Sequence, residues 1–402
     1  MEAETLKQCP ECGAGLGQPI YTKHRTIEQL PDTQPVKVVD YHENHYLCTG
    51  CDCSIVSRHP DCPPKGRLGK NVYVQTTLLK FEERLPLGRV SKVLSRQGLD
   101  ITDATVLELL DRVSIWLGPR YEELLALIRL ADVVYTDQTG IKVDGKPYWI
   151  WNFVTDTETL FVIRPTKGKI VLEDVLGKDW PGMLVCDGLR SHHSFTHNIQ
   201  RCWAHILTEA ERITHELLEA QKTAQEKAEK AEKERCGERY GERHGWYREA
   251  EGLRRGLHRI YDKLSKALET DPPPGAQERD ELVRYGRRAL RYWLKKQYRS
   301  AKVRKFVKKI KSGYPYWFTA IKHPGVELTN NRSERALRAL VVQRKIIGTL
   351  RNGKGIRMYQ RLPSLLATWE QRGLNPTQTL SEALTQSWKE PRSQKQTKQT
   401  VS

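Results

Sequence analysis

Residues 131–205 constrain the fold most strongly, because short runs rich in β-branched and aromatic residues are concentrated there and helical patterns lie on both sides. We predict strands at Asp132–Thr136, Tyr148–Thr155, Leu160–Arg164, Met183–Cys186 and Ile199–Trp203, with a helix at Lys169–Leu176 before the fourth strand. Hairpin-forming strands followed by a crossover to further strands are typical of a mixed sheet. We therefore expect an α/β multidomain chain with a mixed sheet at its centre.

Helical patterns divide the rest of the chain. Pro86–Gln97 carries apolar residues at helical spacing, Gly98 ends this helix, and Thr102 or Asp103 starts another. This is the outline of a helix-turn-helix DNA reader, although a hairpin that only packs has the same pattern. We predict six segments: a Cys-rich module (1–62), a helical DNA-binding segment (63–130), the first part of the sheet core (131–207), a basic helical insertion (208–322), the C-terminal helices (323–388) and a disordered tail (389–402).

The first segment contains two Cys-x-x-Cys pairs, Cys9 with Cys12 and Cys48 with Cys51. Thiolates at this spacing grip one Zn²⁺, and two pairs complete a tetrahedron, so we predict a structural zinc module with a small hairpin between the pairs. The alternative is redox or incidental cysteines. Neighbouring side chains could also replace a ligand: Cys53, Cys62, His42 and His45. Metal-binding cysteines fit a reducing cytoplasm.

The charge of the chain favours a polyanionic partner. Lys and Arg number 67 against 49 Asp and Glu, a net charge of +18. Each cation placed on a phosphate releases condensed counterions, so nucleic acid is the first expectation, and a solvated surface or a ribosome-associated protein is the alternative. No apolar run approaches the roughly 20 residues that span a bilayer, and the polar, acidic N-terminus is unlike a secretory signal. We expect no membrane partner.

The sharpest basic patch runs from Arg284 to Lys311, which contains 13 Lys or Arg residues, no acid and several aromatic residues. Aromatic side chains there could stack on bases or pack inward. A plain solvated helix is the alternative to phosphate contact. The residues that we predict to bind DNA are Arg287, Arg288, Arg291, Lys295, Lys296, Lys302, Lys305, Lys308 and Lys309.

Three acids have positions suited to metal binding. Asp137 follows the first predicted strand, Asp187 follows the fourth, and Glu334 lies in the first turns of a predicted helix over Asn331–Lys345. Three converging carboxylates require cations, and oxygen ligands select Mg²⁺ or Mn²⁺, two of which can support phosphoryl transfer. Each acid could instead be a turn or cap residue. Four other acids compete for the site: Asp132, Asp144, Asp156 and Asp174.

Several long motifs resemble the IS66 insertion-sequence transposases. They are residues 131–140 (ADVVYTDQTG), 144–151 (DGKPYWIW), 186–188 (CDG), 202–205 (CWAH), 324–338 (PGVELTNNRSERALR) and 344–348 (RKIIG), together with the two Cys-x-x-Cys pairs. The similarity covers most of residues 9–51 and 85–388. It implies a ribonuclease-H-like core in which Asp137, Asp187 and Glu334 form the DDE metal-binding triad. It also implies that His205 of the Cys-x-x-His element assists near the scissile strand, although a core or zinc-like role is equally compatible.

The resemblance implies a transposase that binds the terminal repeats of a mobile element as double-stranded DNA. Such an enzyme cleaves one strand and transfers it to target DNA with two Mg²⁺ or Mn²⁺ ions. We expect a homo-oligomer in the cytoplasm, associated with the nucleoid, with accessory transposition proteins as further partners. Two other functional hypotheses remain open. One is a catalytically inactive or domesticated DNA-binding protein, and the other is a ribonuclease-H-like nuclease of repair or recombination.

Overall fold

The computed structural model describes residues 8, 11–15, 36–47, 49–50, 54–57, 59–231 and 235–389. In its N-terminal part, β1 (Asn44–Leu47) and β2 (Ser54–Ser57) form an antiparallel hairpin. Gln8 and Gly15 form an isolated antiparallel bridge. The predicted tail lies outside the described residues except for its first residue, Lys389.

Four helices precede the sheet: α1 (Lys70–Phe81), α2 (Leu87–Arg96), α3 (Asp103–Trp116) and α4 (Gly118–Leu130). The predicted helix pair corresponds to α2 and α3. Thr102 is the N-cap of α3, because its hydroxyl oxygen accepts the backbone N–H of Thr105 at 3.2 Å. The helices bury apolar residues such as Val90, Leu110 and Val113 against one another, so they form a packed layer.

The central sheet is mixed, as predicted. Its elements are β3 (Val133–Val143), β4 (Lys146–Val154), β5 (Thr159–Arg164), α5 (Ile170–Leu176), β6 (Met183–Cys186), α6 (Arg190–Phe195), β7 (Ile199–Arg201) and, much later in the chain, β8 (Thr349–Leu350). The strand order is β5-β4-β3-β6-β7, with β8 also paired to β3. β3, β4 and β5 are antiparallel neighbours, whereas β6, β7 and β8 run parallel to their partners.

The first strand is longer than the sequence pattern indicated. We expected it to end at Thr136, but β3 continues to Val143, so Asp137 lies within the strand. The reason is the two-residue turn Asp144-Gly145, in which both residues have positive φ, 49° and 72°. That backbone matches the twist of paired strands, so the hairpin with β4 extends to its very end.

Long helices follow the sheet: α7 (Trp203–Ala231), α8 (Arg235–Leu268), α9 (Ala276–Lys295), α10 (Ala301–Ser312) and α11 (Thr319–Lys322), with a 3₁₀ turn at Tyr314–Tyr316. The last three helices are α12 (Asn331–Ile347), α13 (Gly353–Gln371) and α14 (Pro376–Lys389). The fifth predicted strand is therefore shorter than expected, because Trp203 already begins α7.

The sheet separates two apolar cores. Successive residues of a strand point to opposite faces, and Val134 and Leu184 pack with the N-terminal helices and α13, whereas Tyr135 and Val185 pack with the helices of 203–322. The helical insertion therefore covers one face of the sheet, and the carboxyl ends of β6 and β7 emerge at the sheet edge between the two layers.

Candidate active site

Asp137 and Asp187 lie on neighbouring strands. β3 and β6 pair in parallel, and the last register pair is Thr136 with Cys186. The two acids are the next residues on each strand, and neighbouring strands lie about 4.8 Å apart. The side-chain nitrogen of Gln138 lies 3.5 Å from Oδ2 of Asp187 and so links the two positions.

A buried amide fixes Glu334 next to these acids. Asn152 of β4 is fully buried, and its Oδ1 accepts the backbone N–H of Asp137 and the hydroxyl of Ser333, both at 2.8 Å. Its Nδ2 donates to the carbonyl oxygen of Ser333 at 2.7 Å. Asn330, also fully buried, donates to the carbonyl of Thr136 at 2.8 Å. The first turn of α12 is thereby bound to the part of β3 that carries Asp137.

The start of α7 is bound to the same scaffold. The backbone N–H of Cys202 donates to the carbonyl of Cys186 at 2.9 Å, and the Cys202 sulfur accepts the N–H of Asn330 at 3.1 Å. One helical turn later, Nδ1 of His205 lies 3.6 Å from Oε1 of Glu334. Among the described residues, ligand atoms of Cys202, His205 and Glu334 all lie within 4.8 Å of one another.

The electrostatics of Asp137 show how crowded the acids are. Burial is the largest effect, and together with the charges of Asp187 and Glu334 it raises the pKa of Asp137 to about 6, against the opposing effects of the Gln138 N–H and His205. For His205, the hydrogen bond with the Cys202 sulfur is the largest effect, and with the charges of Glu334 and Asp187 it raises the pKa to about 9 despite burial. Without a cation, the acids repel one another.

Two neighbouring groups hold one carboxylate oxygen of Asp187, Oδ1, in place. Oδ1 accepts the backbone N–H of Leu189 at 3.0 Å and lies 3.3 Å from Nδ1 of His192. His192 is fully buried, with its ring edge-on to Trp151 at 5.9 Å. Burial opposes ionisation of Asp187, but the His192 contact and the Leu189 N–H outweigh it and hold the pKa of this carboxyl well below its usual range. Asp187 is therefore ionised, and its Oδ2 remains within reach of the Gln138 side chain.

An open cavity of about 530 Å³ adjoins the acids. Asp137 and Glu334 line it together with Arg335 and Arg338 of α12. A phosphate backbone that approached the acids through this cavity would therefore meet arginine side chains on the same surface.

Comparison with known proteins identifies the family. A family profile described as "Transposase IS66 family" matches residues 65–358. The chain belongs to the IS66 transposase family. It is also similar to "Uncharacterized protein y4hP" of Sinorhizobium fredii (strain NBRC 101917 / NGR234), with 24% identity over 159 residues. That alignment covers 37% of this chain and 28% of the relative, so the chain spans little more than a quarter of that protein's length.

The family resemblance seen in the sequence is thus confirmed, and the structure brings Asp137, Asp187, Glu334 and His205 of this IS66-family chain together. Two of the competing acids lie in other surroundings. Asp156 pairs with Arg332, and Asp144 sits in the distal turn of the β3–β4 hairpin. Asp156 is thus an ion-pair residue, and Asp144 is a turn residue.

The predicted basic patch is partly neutralised within this IS66-family protein. Lys302 pairs with Glu216 at 2.7 Å, and Lys309 pairs with Glu209, because α10 lies against the acidic side of α7. Lys296 lies over the ring of Trp293 at 4.1 Å. DNA contact by the other predicted residues of this patch remains a prediction.

The zinc ligands can be placed only in part. Cys9, Cys48 and Cys51 lie outside the described residues, as does Cys53, and Cys12 is exposed. The described backbone on either side of each pair is antiparallel: Gln8 bridges Gly15, and β1 pairs with β2 around residues 48–51. The zinc module remains a prediction for this member of the family.

Sequence reasoning missed the groups that position the acids, namely Asn152, Asn330, Ser333 and His192. Asn152 did give a signal, because it interrupts an apolar run between Trp151 and Phe153, and a buried amide needs partners. No such signal marked His192, because its contact with Asp187 across the turn is known only from the fold. Among the described helices of this IS66-family chain, none has the length and apolarity to cross a bilayer.

Proposed function

We propose that this protein is a DDE transposase that cleaves DNA at the ends of a mobile element and joins the freed strand to target DNA, using a ribonuclease-H-like core. The observation that carries the proposal is the parallel register of β3 and β6, which sets Asp137 beside Asp187. The buried Asn152 network adds Glu334 to this pair. Membership of the transposase family supports the same conclusion.

The donor set fits divalent metal ions. Asp137, Asp187 and Glu334 offer carboxylate oxygens, which Mg²⁺ and Mn²⁺ prefer. The raised pKa of Asp137 reflects burial and repulsion that a bound cation would relieve. When bound, two such ions supply Lewis-acid stabilisation of the attacking and leaving oxygens.

The side chains of the protein then have defined tasks. His192 and the Leu189 N–H hold Oδ1 of Asp187, so that Oδ2 is presented to the site. Asn152 keeps Glu334 at a fixed distance from Asp137. His205, beside Glu334, is placed to donate a hydrogen bond to a phosphate oxygen near the scissile bond.

Two in-line substitutions at phosphorus complete the reaction. In the first, water attacks the scissile phosphate, the P–O3′ bond breaks, and a 3′-hydroxyl is released. In the second, that hydroxyl attacks a phosphate of the target, and a target 3′-hydroxyl leaves. Both reactions have the same geometry, so one set of acids serves both, and no covalent protein–DNA intermediate is formed.

The remaining partners follow from the family and the sequence. We infer a structural Zn²⁺ on Cys9, Cys12, Cys48 and Cys51, recognition of double-stranded terminal repeats, and a homo-oligomer that brings two ends together. Accessory transposition proteins and a nucleoid-associated location belong to the same proposal.

The decisive experiment uses the full chain and linear duplex DNA that carries the regions flanking its gene. We expect Mn²⁺-dependent nicking and, with target DNA, strand-transfer products. The variant Asp187→Asn should lose both activities and keep DNA binding. The matched control is Asp156→Asn, because Asp156 pairs with Arg332 outside the acid cluster of Asp137, Asp187 and Glu334. This control should keep both activities.

Two results would overturn the proposal. If DNA is bound without nicking in Mn²⁺ or Mg²⁺, the protein is a DNA-binding member of the family that has lost cleavage. If nicks appear but no strand transfer occurs, it is a nuclease rather than a transposase. A trapped phosphoserine or phosphotyrosine adduct would contradict the direct mechanism.

A further inference from the structure

The segment after Glu334 is basic without interruption. From Arg335 to Trp369 the chain contains no Asp or Glu, and eight Lys or Arg residues: Arg335, Arg338, Arg344, Lys345, Arg351, Lys354, Arg357 and Arg361. The charge of this segment is therefore as one-sided as that of the predicted patch, but it begins at the acid cluster.

Three of these cations have structural partners. Arg344 bonds to the hydroxyl of Thr139 at 2.8 Å and to the carbonyl of Gly140, Arg357 pairs with Asp111, and Arg361 donates to the carbonyl of Ser114 at 3.0 Å. Within the described part of the chain, the other five are exposed and their side chains make no ion pair or hydrogen bond: Arg335, Arg338, Lys345, Arg351 and Lys354.

Two of the unpaired cations on α12, Arg338 and Lys345, lie on nearly the same side of the helix as Glu334. With a helical rise of about 1.5 Å and a turn of about 100° per residue, Arg338 lies about 6 Å along the axis from Glu334. Lys345 lies about 16 Å along it and about 20° around it. Arg335 and Arg338 line the same cavity as Asp137 and Glu334. The positive stripe thus starts at the acids and leads away from them.

The sheet continues this direction. Arg344 binds the end of α12 to Thr139 and Gly140 of β3, and β8 pairs with the end of β3 through Lys142 and Thr349. Since β8 leads directly into α13, Arg351 and Lys354 lie where the chain leaves the end of β3.

No ion pair among the described residues neutralises any of these five exposed cations, so their side chains are available to bind an anion. The predicted patch on α10 differs, because Glu209 and Glu216 already neutralise part of it.

We propose that Arg335, Arg338, Lys345, Arg351 and Lys354 form a phosphate track that holds the backbone of the DNA strand entering the acid cluster. The track rests on the proposed function, because it names how that site grips its substrate. One strand of a duplex has a phosphate every 3.4 Å along the axis. The spacing from Glu334 therefore places Arg338 about two phosphates from the scissile position and Lys345 about five. Because the ligands are phosphates, the track binds without reading sequence.

The test compares salt dependence in matched variants of the full chain. Arg338→Gln/Lys345→Gln removes two track charges, and Lys178→Gln/Lys266→Gln removes two exposed charges outside the track. Binding of a mixed-sequence duplex is followed by fluorescence anisotropy in EDTA over a range of salt concentrations. The track variant should flatten the slope of log K against log salt by about 1.8, since each phosphate contact contributes about 0.9. The control should leave the slope unchanged.

Equal slopes for the two variants, with both melting like the wild type, would overturn the track. A second readout separates this failure from that of the proposed function. In Mn²⁺-dependent nicking, the track variant should raise KM for DNA and leave kcat unchanged, whereas Asp187→Asn removes kcat. If the wild type does not nick but the slopes differ, the track stands and the cleavage proposal fails. A fall in kcat with unchanged KM and slope would contradict the track.

Discussion

The substitution Asn152→Ala tests the link between the fold and the acid cluster. Asn152 is fully buried in β4, and its amide makes three hydrogen bonds, with the Asp137 N–H, the Ser333 hydroxyl and the Ser333 carbonyl. These bonds join the strand that carries Asp137 to the helix that carries Glu334. Alanine would remove all three while β4 keeps its backbone pairing.

The expected cost follows from the partners left behind. Each hydrogen bond contributes about 1 kcal/mol net, and a buried donor without a partner costs about 1–3 kcal/mol. The Asp137 N–H becomes such a donor, whereas the Ser333 hydroxyl can rotate. We therefore expect a loss of about 3–5 kcal/mol in the free energy of unfolding, together with a larger distance between Asp137 and Glu334.

Urea unfolding followed by tryptophan fluorescence measures this loss, since Trp151 is buried next to Asn152 in β4. The control is Asn71→Ala, an exposed position in α1, which should change stability by less than about 0.5 kcal/mol. If Asn152→Ala costs no more than this control, the amide does not hold the acids together and our account of their positioning is wrong.

Three further predictions concern titration and metal binding. Asp137→Asn should stabilise the metal-free protein by up to about 3 kcal/mol above about pH 6 and not below about pH 4, because the pKa raised from 3.8 to about 6 makes the folded state lose stability as this carboxyl ionises. Urea melts in EDTA measure the gain, and a gain independent of pH would refute its cause. Lys80→Met should stabilise by about 2 kcal/mol below about pH 8 and by nothing near pH 10.5, because burial lowers the pKa of Lys80 from 10.5 to about 8, while the bond to the Leu85 carbonyl and the contact with the Tyr359 ring are lost. An equal gain at both pH values would contradict this. His192→Gln should weaken Mn²⁺ binding by about 10–100-fold in calorimetry, and unchanged affinity in a folded variant would show that His192 does not orient Asp187.

The sequence predicted the sheet because strand signals depend on local pattern. The runs around Met183 and Leu160 are short and apolar and contain β-branched or aromatic residues, which favours strands over helices, and the strands lie close to their predicted bounds. The length of β3 was missed because Gln138, Thr139 and Gly140 interrupt the apolar pattern after Asp137. The Asp144-Gly145 turn fixes the pairing of this part of β3. How far the pairing extends depends on β4 as well as on the turn.

The acids could be nominated from the sequence, but their proximity could not. Glu334 is almost two hundred residues from Asp137, and the buried amides of Asn152 and Asn330 join the two elements that carry these acids. In the same way, the sequence could not show that α10 would place Lys302 and Lys309 against acids of α7, or that the cations after Glu334 would remain unpaired. The charges of a segment can be counted in the sequence, whereas their neutralisation depends on which residues pack against that segment.

The central claim is that Asp137, Asp187 and Glu334 together hold divalent cations. Anomalous diffraction from crystals soaked in Mn²⁺ tests it most directly, because the scatterers are located without any assumption about activity. We expect manganese between the three carboxylates, with Asp187 contributing the oxygen that faces away from His192. Manganese bound elsewhere, or none near Asp137 and Asp187 in crystals whose other sites are saturated, would contradict the claim.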